Sequence, residues 1–99
     1  MNISKELRGA ELTVSLSGRL DTTSAPTLEN DLKAIDAAVT SLILDFAGVD
    51  YVSSAGLRVI LAAQKQMGNR HGAMVLRNVQ DAVMEVFEMT GFTDILTFV

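Results

Sequence analysis

The sequence predicts a small α/β fold, a mixed β-sheet in the order β-β-α-β-α-β-α-β covered by helices. Three observations carry this. "ELTVSLSG" alternates Leu12, Val14 and Leu16 with polar residues, the period-two pattern of a strand with one buried face. "SLILDF" and "AMVLRNV" are short, largely apolar runs of the kind that fill the middle of a parallel sheet. Elsewhere apolar residues recur at three- and four-residue spacing, as amphipathic helices require.

The elements follow in order. "NISKELRG" is the first strand candidate, and Gly9-Ala10 suits a tight turn into "ELTVSLSG". Thr23 and Ser24 are N-cap types, and Pro26 belongs in a first helical turn. Leu28, Leu32, Ile35 and Val39 then mark one apolar helix face. Ser41 to Phe46 is a buried central strand, and "AGVDYV" a short connection. From Ser54, the residues Leu57, Ile60, Leu61, Gln64 and Met67 trace a second helix, stopped by Gly68 and Asn69.

"AMVLRNV" is a further strand, and Gln80 to Met89 a third helix with Val79, Ala82, Val83, Val86 and Phe87 on one face. "DILTFV" closes the chain as a short strand. Strand–helix–strand units imply parallel neighbours with right-handed crossovers, and the first hairpin adds an antiparallel pair.

The 99 residues suit one domain, 1–99, with a single core. A chain that is 48% apolar and 20% charged is globular rather than disordered. Its net charge of −4 and scattered Lys and Arg argue against direct binding of nucleic acid. Without cysteine there is no disulfide, thiolate metal site or cysteine nucleophile. No apolar run approaches the roughly 20 residues that cross a bilayer, and the N-terminus has no apolar signal core. A soluble cytoplasmic protein is expected.

The catalytic inventory is thin. The only histidine, His71, lies in the polar loop "GNRHGA", at the far end of the second helix from Ser53 and Ser54. The motif G-x-S-x-G and both phosphate-loop patterns are missing. Asp45 and Asp50 have no histidine near them in sequence to complete a metal site. No enzyme activity, cofactor or metal is expected.

"DYVSSAGLRVIL" is the element left to explain. One of its two serines is expected to cap the second helix by accepting a free backbone N–H. The same place tolerates an anion, so a phosphate attached to serine is compatible with the helix start. Asp21 of "GRLD" would lie nearby if that turn sits at the same end of the sheet.

The chain resembles the STAS domain family, and within it the single-domain bacterial anti-sigma factor antagonists. The resemblance rests on "VSLSGRLDTTSAPTLENDL", "LILDFAGVDYVSSAGLRVIL" and "MEVFEMTGFTDILTF", in that order, and covers essentially the whole chain. It implies a regulator that binds an anti-sigma factor serine kinase and so releases a sigma factor. In such proteins the kinase phosphorylates a serine at the start of the second helix, and a PP2C-type phosphatase reverses this. Aligned outward from Gly56 and Leu57, that serine is Ser54.

The expected partner-binding residues are Asp21, Thr22 and Thr23 of the turn, with Ser53, Ala55, Gly56 and Arg58 around the acceptor. Many members place Asp immediately before the acceptor, where this chain has Ser53, and Ser or Thr after it, where this chain has Ala55. Ser53 is thereby a competing acceptor. Arg58 is either an exposed arginine or a partner for Asp21 or a phosphate. The free protein is expected to be monomeric. The alternative reading is a STAS subunit of another complex, such as a lipid-transport ABC system or a stress-signalling assembly.

Overall fold

The computed structural model describes residues 1–99. Its elements are β1 (Asn2–Arg8), β2 (Glu11–Leu20), α1 (Ala25–Lys33), β3 (Ser41–Val52), α2 (Ser54–Asn69), β4 (Ala73–Arg77), α3 (Asp81–Met89), a 3₁₀ turn (Phe92–Asp94) and β5 (Thr97–Phe98). The five strands form one sheet in the order β1-β2-β3-β4-β5. β1 pairs antiparallel with β2, and every other pair is parallel.

Because β2 to β5 step in one direction, three right-handed crossovers place all three helices on the same face. Burial follows that rule. Leu12, Val14 and Leu16 of β2, Leu42, Leu44 and Phe46 of β3, and Met74 and Leu76 of β4 are buried under the helices. The alternate residues Thr13, Ser15, Ile43, Asp45, Val75 and Arg77 are half-buried on the opposite, uncovered face. There Arg77 donates to Asp45 at 3.1 Å across the β3–β4 pair. Phe87 anchors α3, meeting Phe46 edge-on at 6.1 Å and Phe98 at 5.3 Å between ring centroids.

Several boundaries differ from the sequence expectation. β3 does not stop at Phe46 but runs through "AGVDYV" to Val52. Two register shifts against β2 each insert one extra β3 residue: Ser15 and Ser17 face Asp45 and Gly48, and Gly18 and Arg19 face Val49 and Tyr51. These bulges space the buried residues Phe46, Val49 and Val52 by three, which hides a strand from a period-two search. Gly48 is required at the first one, since a Cβ there would lie 2.6 Å from Ser17 Cβ.

α1 ends at Lys33, so Ile35 and Val39 are not on its face. The Asp36 carboxylate accepts the Ala38 N–H at 2.8 Å, and the Asp36 carbonyl accepts the Val39 N–H at 3.0 Å. That turn buries Val39 from a loop. In α2, Leu61 and Gln64 are only half-buried, whereas Val59 and Ala63 join the core. α3 starts at Asp81 with Gln80 as its N-cap residue, and Ala82 is exposed. β4 ends at Arg77, and Asp94 belongs to the 3₁₀ turn rather than to β5.

Candidate functional site

β2 and β3 are parallel and in register at Leu20 and Val52, so the residues that follow each strand emerge at the same end of the sheet. The Ser53 N–H donates to the Leu20 carbonyl at 2.8 Å. Gly56 packs against the same residue: a Cβ there would sit 2.6 Å from Leu20 Cγ and 3.0 Å from its carbonyl oxygen. The start of α2 is thereby pinned to the "GRLD" turn, and Ser53, Ser54 and Asp21 share one surface.

The two serines have different roles in this geometry. Ser53 is the extended N-cap residue, and its Oγ accepts the Gly56 N–H at 3.3 Å. Ser54 is the first helical residue; it is exposed, and its hydroxyl makes no hydrogen bond within the protein. No acidic residue occupies the first turn of α2, so nothing on the helix opposes a negative group there.

Asp21 is held by its own turn. Its Oδ1 accepts the Thr23 hydroxyl at 2.7 Å, the Thr23 N–H at 3.0 Å and the Ser24 N–H at 3.2 Å. Led by the Thr23 hydroxyl, these bonds lower the Asp21 pKa to about 2. Ser24 precedes α1 but does not cap it. Its hydroxyl donates to the Arg19 carbonyl at 2.6 Å and accepts the Asp21 N–H at 2.9 Å, so the cap expected from Ser24 is replaced by this Asp21 turn. Pro26 lies in the first turn of α1, as expected.

Arg58 forms no ion pair with Asp21; Arg19 does, with Nε 3.7 Å from Oδ2. Arg58 instead borders an open depression of about 300 Å³ between the starts of α1 and α2, beside Thr22, Pro26, Glu29 and Ala55. Thr22 and Thr23 are exposed and Ala55 is half-buried. His71 follows the far end of the 16-residue α2, about 24 Å from Ser54 at 1.5 Å per residue. A serine–histidine pair cannot form there.

The STAS domain family model matches residues 2–99. The chain belongs to the STAS domain family. Among curated relatives it is 40% identical over 85 residues to BtrV of Bordetella bronchiseptica, a candidate anti-sigma factor antagonist; the match covers 85% of this chain and 73% of BtrV. It is 29% identical over 98 residues to the anti-sigma-B factor antagonist of Bacillus subtilis, covering 97% of this chain and 90% of the relative.

This STAS domain shares its fold with the anti-sigma factor antagonist SpoIIAA in unphosphorylated form. The TM-score is 0.84 at 22% identity, with 99% of this chain and 88% of that one covered. SpoIIAA in phosphorylated form matches with a TM-score of 0.78 at 19% identity, covering 99% and 91%.

One pair at this end of the STAS domain was missed in the sequence. Arg19 and Tyr51 are direct cross-strand partners, with the guanidinium carbon 4.0 Å from the Tyr51 ring centroid. The one available signal was that Tyr51, the only tyrosine, lies two residues before the serines. Its pairing depends on the β3 bulges, which periodicity does not show.

Proposed function

We propose that this STAS domain is an anti-sigma factor antagonist switched by phosphorylation of Ser54. Unmodified, it binds an anti-sigma factor serine kinase through the surface that joins the Asp21 turn to the start of α2, which frees a sigma factor. The kinase transfers a phosphoryl group to the Ser54 hydroxyl, the pair separates, and a PP2C-type phosphatase restores the serine. The protein acts in the cytoplasm, as a monomer when free, without direct contact with nucleic acid.

The observation that carries this reading is the split between the serines: Ser53 is engaged as the helix cap, while Ser54 is exposed with a free hydroxyl. The names of the curated relatives and the phosphorylated form of SpoIIAA support it. A phosphate at the first residue of α2 meets unpaired backbone N–H groups, so the fold accepts it. It adds about −1.5 to −2 charge at neutral pH. That added charge expels an acidic partner segment.

Incubation with the kinase and ATP, followed by intact-mass measurement, tests this. Wild type gains one phosphate and Ser54→Ala gains none. Full modification of Ser54→Ala would move the acceptor elsewhere, with Ser53 as the first alternative.

A further inference from the structure

The Arg19–Tyr51 pair lies beside the proposed partner surface but on the other side of the sheet. Leu20 and Val52 are buried on the helix face, so the preceding residues of the same register, Arg19 and Tyr51, project on the uncovered face. Both are exposed: the Arg19 side chain at 61% and Tyr51 at 41%.

The guanidinium is oriented without being used up. Its carbon stacks 4.0 Å from the Tyr51 ring centroid, which fixes one face of the fork. Asp21 approaches only the Nε side, at 3.7 Å, too long for a hydrogen bond. None of the five guanidinium N–H donors is hydrogen-bonded within the protein, and the side chain as a whole is largely exposed. Asp50, the unpaired residue of the second β3 bulge, forms no ion pair with Arg19. A stacked arginine with its fork free is preorganised for a carboxylate, and Tyr and Arg are residue types that dominate interface energies.

We infer that Arg19 and Tyr51 form an anchor for the kinase partner, receiving a carboxylate from an acidic segment that crosses the end of the sheet toward Ser54. This rests on the function proposed above. Charge complementarity selects the occupant. Asp21 is already compensated by Thr23, Ser24 and Arg19, which leaves the Arg19 fork as the group offered outward. The acidic segment that Arg19 attracts is also the one that phosphate on Ser54 repels, so one partner feature accounts for docking and release.

The test is titration of the purified kinase, by calorimetry, into wild type, Arg19→Ala, Tyr51→Ala and Tyr51→Phe. Thermal melts confirm that each variant is folded. Arg19→Ala and Tyr51→Ala weaken binding about tenfold or more, while Tyr51→Phe, which keeps the ring, stays within about twofold of wild type. Arg19→Ala also flattens the salt dependence of the affinity.

If wild type binds and both alanine variants remain within about threefold of it, the anchor is wrong and the proposed function stands. If wild type does not bind the kinase, the proposed function falls and the anchor with it. Self-association that Tyr51→Ala abolishes, with kinase affinity unchanged, would assign the pair to a second copy of this chain instead.

Discussion

The Ser53 N–H and the Leu20 carbonyl are joined at 2.8 Å, and this one bond ties the start of α2 to the end of β2. It converts two sequence motifs 30 residues apart, "GRLD" and "VSSAG", into one surface. Gly56 makes the approach possible.

Gly56→Ala therefore places a methyl group 2.6 Å from Leu20 Cγ, against a residue that is itself fully buried. Neither side can yield without moving β2 or α2. Urea denaturation is expected to show a loss of about 1–3 kcal/mol, although alanine is the better helix former. A neutral or stabilising result would mean that the junction is looser than described.

The serines separate by stability. Ser53→Ala removes the cap to the Gly56 N–H and costs about 1 kcal/mol. Ser54→Ala removes an exposed, unbonded hydroxyl and stays within about 0.5 kcal/mol of wild type. Ser53→Asp keeps a capping oxygen, so it holds close to wild-type stability. Equal losses from the two alanine variants would contradict the division of roles.

Asp21 makes stability depend on acid. Its folded pKa, about 2, lies below the ordinary 3.8, so the folded state binds its proton later than the unfolded chain. The stabilisation is complete above about pH 4 and is lost as the pH falls toward 2. Asp21→Asn should flatten the stability–pH curve in that window and leave its slope near neutrality unchanged. An unaltered acid limb would show that the Thr23 and Ser24 bonds do not hold the carboxylate.

Much of the fold was legible because local pattern and burial agree. Leu12, Val14 and Leu16 alternate and are buried; Leu57, Ile60 and Met67 share a helical face and are buried. Where they part, the sequence misled. Ile35 and Val39 keep helical spacing after Lys33, but the Asp36 turn buries Val39 without a helix. Val49 and Val52 fall out of period two because two bulges intervene, so a strand looked like a connection.

The candidate site followed the same division. Its place at a helix start was readable from the motifs, and the family resemblance pointed to Ser54 as acceptor, whereas which of the two adjacent hydroxyls caps the helix was not readable. Either serine type can cap a helix, and only the backbone geometry at Ser53 decides which one does.

The most direct test of the account is the affinity of the kinase for the unmodified protein and for the protein phosphorylated on Ser54, measured side by side by calorimetry. Binding to the unmodified form is expected, with a loss of at least about tenfold on phosphorylation, equivalent to about 1.4 kcal/mol. Equal affinity for the two forms would contradict it.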